Sequence, residues 1–568
     1  MQKRPSWQVI LLWAIPLAFL AVFFYQPLVA IFRLVFSERF RQGWQLFRWT
    51  QVSKPLGFTL YQATLSTLLT LVLGLPAAWL FARFQFKGRK ILRTMTIIPF
   101  ILPTVVVATA FNTLLGSRGW LNLGLMSLFD LSSPPLRVLN SMGAILLAHV
   151  FYNTSIVIRM VGSSLARLNQ NLPAAAQSLG ASPWKAFKEV TLPLLMPSIL
   201  SATLMVFLFD FTSFGVVLML GGPQFSTLEV EIYNQAMSRF NLPVAGLLSI
   251  IQLIFTLLLS ALINRTNQPR YGKAAIASER SGLRKAKNAW EKAFVIFMIV
   301  TLLLLMVTPV LSLVTRSFFT FEAARGERGE LQTGFTLRYY RELFFNREGS
   351  LFYVPPIAAI RNSISYASIT MLLATVLGLL AAYAIHYSGA SGRFLEPLFM
   401  LPLGASSVTL GLGFLIVFGS SLLTQGRFQA LIPIAHALVA LPLVTRTILP
   451  ALRGIPENLR LAAKNMGANP LRVFREVDLP ILFRAIAVSL LFSFTISLGE
   501  FGASSFLSNV AMPTIPVAIY RYISQPGALN YGQALAMSSL LMLVCVLGSL
   551  LIEHLRLPGT KAMRVNLC

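Results

Sequence analysis

Long apolar runs separated by short charged segments dominate this 568-residue sequence, and they constrain its fold more than any other feature. The runs lie near 9–32, 57–84, 95–116, 143–163, 194–220 and 244–263. A second series lies near 292–314, 362–386, 396–423, 429–449, 481–507 and 535–553. Each approaches or exceeds the roughly 20 residues a helix needs to cross a bilayer. The chain is 56% hydrophobic and only 12% charged, against about 25% charged in soluble domains, so a water-facing body of this size would lack polar surface. The first run is too long for the roughly 7–15-residue core of a cleavable signal peptide and reads as a first spanning helix. The expected fold is all-α and integral to the membrane, with about 12 transmembrane helices. Gly and Pro within several runs fit this reading, because neighbouring helices can satisfy the freed backbone groups.

The net charge of +28 does not imply nucleic-acid binding. Such binding needs exposed, clustered Lys and Arg among aromatic or polar groups, whereas these cations occupy short segments between apolar runs. With the N-terminus inside, the cytoplasmic segments run from Arg83 to Arg93, Arg159 to Lys188, Arg265 to Lys292 and Arg446 to Arg475, followed by the tail with Arg556, Lys561 and Arg564. That is the asymmetry of the positive-inside rule, and it puts both termini in the cytoplasm. Two outer loops fit less well. One carries Arg39, Arg41, Arg48 and Lys54 against Glu38; the other, Arg316 to Arg347, mixes both signs and reads as a small folded cap. The two cysteines, Cys545 and Cys568, have no metal-site spacing and no disulfide framework.

The sequence repeats itself. A shift of 287 positions lays Ala148-His149 on Ala435-His436, Arg159 on Arg446, Gly180 on Gly467, Pro193 on Pro480, Gly215 on Gly502 and Ile232-Tyr233 on Ile519-Tyr520, without a gap. Six spans per half, entering from the same side, mean a parallel duplication. The expected organisation is a first repeat at 1–264, a basic cytoplasmic linker at 265–291 and a second repeat at 292–568.

Between the fourth and fifth span of each half lies a loop, LPAAAQSLGASPWKAFKEVTLP at 172–193 and LRLAAKNMGANPLRVFREVDLP at 459–480. Leu172, Ala175, Ala176 and Leu179 fall on one helical face, as do Leu459, Ala462, Ala463 and Met466. Gly180 and Gly467 end each short helix where a positive φ is wanted. Ser182-Pro183 and Asn469-Pro470 then supply an N-cap and a first-turn proline for a second helix.

The spacing Ala-Ala-x3-Gly-x9-Val-x-Leu-Pro resembles the EAA loop of binding-protein-dependent ABC importer permeases. The resemblance implies a type I importer permease fold, in which Ala175, Ala176, Gly180, Pro193, Ala462, Ala463, Gly467 and Pro480 belong to helices that dock on an ATPase. It also implies two ATPase subunits, an extracytoplasmic solute-binding protein and transport by alternating access. Ala174 and Leu461 stand where that family often has glutamate, which leaves any salt bridge made by that residue in doubt. No phosphate-binding G-x4-G-K-[ST], HExxH or nucleophile elbow is present. The chain therefore reads as a transport subunit of the inner or plasma membrane, not an enzyme, with no cofactor of its own and lipid around it.

Ionisable groups within spans are costly and are functional candidates by default. Asp210 and Glu500 occupy the fifth span of each half, and Glu500 aligns with Ser213. The three are candidates for the substrate path and would favour a cationic or metal-bearing solute; the alternative is pairing with an arginine or capping of a broken helix. His149 and His436 suit packing or hydrogen bonding better than metal ligation, and Arg159 and Arg446 are expected to end their spans. The stretch FTSFGVVLMLGGPQFSTLEVEIYNQA (211–236) resembles fused permeases of the thiamine and ferric-iron group, which implies a thiamine-like or ferric solute. A secondary transporter with two parallel six-helix halves is the competing class; it leaves the duplicated loops unexplained.

Overall fold

A computed structural model describes residues 7–37, 48–169, 171–266, 283–323, 331–345, 356–388, 392–423, 430–509 and 512–556. Lys3, Arg4, Glu38, Arg39, Arg41, Lys561, Arg564, Cys568, most of the basic linker (267–282) and parts of the expected cap (324–330 and 346–355) lie outside the described residues.

The described chain is almost entirely helical. Ten helices are long and apolar enough to cross a membrane, and two bent pairs bring the number to 12 if each pair is one span. In the first repeat the spans are α1 (Leu12–Val35), α2 (Thr50–Arg83), the bent pair α3 (Arg89–Ile101) and α4 (Thr104–Phe129), α5 (Met142–Arg167), α7 (Pro183–Phe211) and α10 (Leu242–Ile263). Between them come three short helices, α6 (Asn171–Ser178), α8 (Gly215–Leu220) and α9 (Leu228–Tyr233). The second repeat has α11 (Ala289–Ser317), a hairpin of β1 (Phe319–Ala323) and β2 (Leu331–Phe335), α12 (Pro356–Tyr387), and the bent pair α13 (Glu396–Gly404) and α14 (Ser407–Gly419). It continues with α15 (Leu431–Arg453), α16 (Glu457–Asn465), α17 (Pro470–Gly499), α18 (Gly502–Leu507), α19 (Ile515–Ser524) and α20 (Ala528–Leu555).

Two expected spans differ from simple rods. The runs at 95–116 and 396–423 are bent by 110° and 95°. At the first break Leu102 is extended (φ −65°, ψ 135°) before Pro103, the conformation that a following proline imposes on its neighbour. The fifth spans differ in the other direction: α7 and α17 begin about three turns before the apolar runs suggest, because each continues without interruption from the loop preceding it.

Packing divides the chain into two compact units that cut across the sequence halves. One comprises Phe47–Glu231 and Ile254–Phe319; the other comprises Met1–Leu46, Ile232–Leu253 and Thr320–Cys568. The first span of each repeat is thus grouped with the other repeat's helices. In the second unit Ile31 and Val35 of α1 pack against Ile250 and Ile416, and Phe23 meets the rings of Phe414 and Phe418 at 6.4 and 6.0 Å. In the other unit Ser312 of α11 donates to the Thr113 hydroxyl of α4 at 3.0 Å.

Each unit has the same close helix crossing at its centre. A Cβ on Gly74 of α2 would lie 2.7 Å from the Val157 Cβ of α5, and a Cβ on Gly378 of α12 would collide with Val444 of α15. Small residues let membrane helices approach this closely, and packing there replaces the hydrophobic drive available in water. Gly74→Val or Gly378→Val should therefore cost about 1–3 kcal/mol of overpacking, read as a lower melting temperature of the detergent-solubilised chain. Substitution at Gly57, which has nothing within 4 Å of its Cβ position, should leave the melting temperature unchanged.

Candidate functional site

The two loops before the fifth spans fold alike. In the first, Leu179 N–H donates to the Ala175 carbonyl and Ala181 N–H to the Ala176 carbonyl, at 3.0 and 3.1 Å. In the second, Met466 and Ala468 donate to Ala462 and Ala463 at 3.1 and 3.0 Å. These bonds close each short helix through a left-handed residue, Gly180 at φ +92° and Gly467 at φ +84°. A Cβ at either glycine would meet nothing within 4 Å, so the requirement is for backbone conformation and not for space. Ser182 Oγ then accepts from Lys185 N–H at 3.2 Å and Asn469 Oδ1 from Arg472 N–H at 2.8 Å, capping the next helix.

A π-turn follows in each copy, at Phe187–Thr191 and at Phe474–Asp478. Pro193 and Pro480 stand just beyond. A proline inside a helix lacks a donor and presses on the carbonyl of the preceding turn; one wider turn there lets the helix run on. Loop helix and membrane span are thereby one continuous piece of 29 residues in α7 and 30 in α17.

The outer faces of both loops are apolar and open. Leu179 and Met466, matched by the repeat, are 89% and 81% exposed, and Trp184 and Leu471, also matched, are 71% and 74% exposed. Ala175 and Ala462 are exposed beside them, with Ala176 and Ala463 half-buried. An apolar step on each side of a glycine turn, repeated in two copies, is the form of a docking surface.

Beneath the loops the two copies differ. In the second, Arg460 of α16 meets Asp478 at 2.7 Å with both side chains buried. The Tyr383 hydroxyl of α12 donates to the other oxygen of Asp478 at 2.7 Å, and the Arg460 guanidinium lies 3.2 Å from His386. In the first copy Pro173 and Thr191 hold the matching positions. There the junction is aromatic: Phe187 packs on Trp79 at 5.9 Å and on Trp184 at 5.6 Å, with Arg83 over the Trp79 ring at 5.2 Å. Trp79 and Tyr383 each follow the crossing glycine of their unit by five residues. None of Arg460, Asp478, Tyr383 or Trp79 stands out in sequence, since each is ordinary in a basic loop or at a span end.

At the far ends of α7 and α17 lie the span acids. Asp210 and Glu500 are buried, and among the described residues neither pairs with an arginine. Asn153 Nδ2 donates to Asp210 Oδ1 at 2.6 Å, His149 Nδ1 is 3.3 Å from the same oxygen, and Gln62 Nε2 donates to the Asp210 carbonyl at 2.7 Å. Glu500 accepts from the N–H groups of Ala503 and Ser504 at 3.0 and 3.1 Å and lies 3.1 Å from His436 Nε2. It therefore caps α18. Ser213 is half-buried and reaches His149 Nε2 at 2.8 Å. The histidines thus take the hydrogen-bonding role expected of them. Arg159 and Arg446 correct an expectation: α5 and α15 run on to Arg167 and Arg453, so neither arginine ends its span. Among the described residues no group of three or more His, Cys, Asp or Glu is placed to hold a metal.

A family model described as the binding-protein-dependent transport system inner membrane component matches residues 70–273 and again 374–556. The thiamine transport system permease protein ThiP of Haemophilus influenzae is 25% identical over 530 residues, 93% of each chain. ThiP of Escherichia coli is 26% identical over 523 residues, 88% of each chain. One half also matches alone: PhnU of Salmonella typhi, whose name points to 2-aminoethylphosphonate, is 29% identical over 280 residues, 48% of this chain and 93% of its own. Among solved structures, a chain of a bacterial alginate ABC transporter is 19% identical and covers 46% of this chain and 94% of that one, with a TM-score of 0.40.

The buried pair of the second loop gives a direct test. Asp478→Asn leaves Arg460 without its counter-charge, a change that typically costs about 3–5 kcal/mol, and should lower the melting temperature well below that of Glu476→Gln at an exposed pair nearby. Replacing both partners, R460M with D478T, should recover most of the loss.

Proposed function

The chain belongs to the family of binding-protein-dependent transport system inner membrane components, and from that premise we propose that it forms the two-halved solute pathway of an ATP-driven importer. The observation that carries the proposal is the duplicated loop: two matched apolar steps, each continuous through a π-turn with a span of its half. A separate ATPase subunit docks on each loop, with Ala175, Ala176 and Gly180 at one contact and Ala462, Ala463 and Gly467 at the other. Pro193 and Pro480 keep the wide turn that joins docking helix to span. Leu179, Trp184, Met466 and Leu471 supply the apolar contact in place of the glutamate that Ala174 and Leu461 lack.

In this reading ATP draws the two ATPase subunits together, the loops follow, and α7 and α17 carry the movement to the outer side. A solute-binding protein delivers the cargo there, and hydrolysis resets the cycle. Both termini and the basic linker face the cytoplasm, in keeping with the bias of Lys and Arg toward that side. The solute is thiamine or a thiamine-like compound in preference to ferric iron, because the two ThiP proteins, which align along nearly the whole chain, are named for thiamine. A secondary transporter would share the parallel halves but has no use for the two docking steps.

The test is purification of the tagged chain from its own membrane with whatever remains bound. An ABC-type ATPase should co-purify, and the Gly180→Val/Gly467→Val variant should lose it or lose uptake while still inserting. Asparagine tolerates the left-handed region better than valine, so G180N/G467N should keep more activity. Wild-type coupling in the valine variant, or a chain that purifies alone under gentle conditions, would overturn the proposal. Uptake of labelled thiamine into vesicles loaded with the purified complex decides the solute.

A further inference from the structure

The acid, serine and histidine at the ends of α7 and α17 form the same arrangement twice, with two members exchanged. The repeat lays His149 on His436, Asp210 on Ser497 and Ser213 on Glu500. In the first half the histidine turns Nδ1 toward Asp210, at 3.3 Å, and Nε2 toward Ser213, at 2.8 Å. In the second it turns Nδ1 toward Ser497, at 2.7 Å, and Nε2 toward Glu500, at 3.1 Å. Each ring nitrogen therefore faces the same repeat position in both halves. The carboxylate and the hydroxyl have changed places, the acid is an aspartate in one half and a glutamate in the other, and Asn153, which donates to Asp210, is matched by Ala440.

The position matters as much as the chemistry. Residues 210 and 497 lie in the last turn of the long fifth-span helix; residues 213 and 500 lie in the break before the chain restarts as α8 or α18. One histidine, standing on the neighbouring span, thus lies against both sides of a helix break. His436 bonds to both, whereas His149 bonds to Ser213 and only approaches Asp210; Asp210 instead accepts from Asn153, four residues further along the same span. Other groups finish the clamp. Thr227 Oγ1 donates to the Ser213 carbonyl at 3.1 Å, Ser497 Oγ to Thr370 Oγ1 at 3.2 Å, and Ser504 Oγ lies 2.9 Å from His436 Nε2. A carboxylate at this depth costs several kcal/mol unless it is fully engaged. Both halves nevertheless keep one acid, at whichever of the two positions.

We propose that Asp210 and Glu500, with His149 and His436, are positioning residues that stiffen the break at the outer end of each coupling rod, and that the acid and the serine are interchangeable between their two positions. The rod begins at a docking loop and extends about 43 Å, at about 1.5 Å per residue. Its movement reaches α8 or α18 only if the break does not fold like a joint. This inference takes the rod's motion from the function proposed above, but the clamp itself is a property of the chain alone.

The experiment compares D210S, S213E and the exchange D210S/S213E, which gives the first half the arrangement of the second. For D210S, hydrogen–deuterium exchange of the amides at 211–215 should rise and the melting temperature fall. D210S/S213E should restore both, and this readout needs neither ATPase nor solute. In the reconstituted complex, D210S should lower maximal uptake by about tenfold with KM unchanged, within the range that coupling residues command, and the exchange should recover most of it. A D210S/S213E variant that melts like wild type yet exchanges and transports no better than D210S would overturn the proposal. So would a D210S that raises KM and leaves the maximal rate intact, the mark of a solute contact. If the melting and exchange pattern appears but the wild-type complex moves no thiamine, the clamp stands and the solute assignment falls.

Discussion

A hydrocarbon interior offers no water to a backbone group, so a helix that breaks there must find partners for what it exposes. That constraint explains the polar side chains at the breaks in this chain. Glu500 receives the first free N–H groups of α18, Thr227 reaches the Ser213 carbonyl and Gln62 reaches that of Asp210. The bends at Pro103 and before Ser407 divide spans that would otherwise be straight. Other buried polar groups, such as Thr59, Ser66, Thr67 and Thr70 of α2, lie within an unbroken helix instead.

Duplication makes the chain its own comparison. Elements that survive in both copies are backbone features: the left-handed glycine, the capped restart, the π-turn and the close glycine crossing. What has diverged is the means of support. An ion pair with a tyrosine holds the second loop to its unit, and stacked aromatic rings hold the first. Geometry has been kept while its chemistry drifted, and the exchanged acid and serine are the same kind of drift. Unequal supports also mean that the two loops resist displacement differently, since rings can slide where a buried ion pair resists separation.

Much of the fold is legible in the sequence because the signals are local. Apolar runs give the spans, and glycine, N-cap and proline at fixed offsets give the loops, down to the sign of φ at Gly180 and Gly467. The contacts of Asp210 and Glu500 are not local. Their histidines lie about 60 residues away, and although the repeat pairs His149 with His436, nothing local says which groups they meet; the alignment of Glu500 with Ser213 is the one hint that acid and hydroxyl share a site. The continuous rods escape an apolar-run reading because their first turns, such as PWKAFKEVT and PLRVFREVD, are as polar as a loop. Nor can hydropathy say which span packs on which, so the grouping of α1 with the second repeat was invisible.

That grouping has a consequence for how the protein is made. Helix α1 is made long before helices it packs on: α10, which carries Ile250, and α14, which ends some 380 residues after α1. At about 5–20 residues per second, roughly 20–80 s pass before α14 is made. Until then Phe23 of α1 lacks the rings of Phe414 and Phe418, whereas Ile31 and Val35 can already meet Ile250 of α10. A helix made early is thus completed late, once the second repeat supplies the rings that meet it.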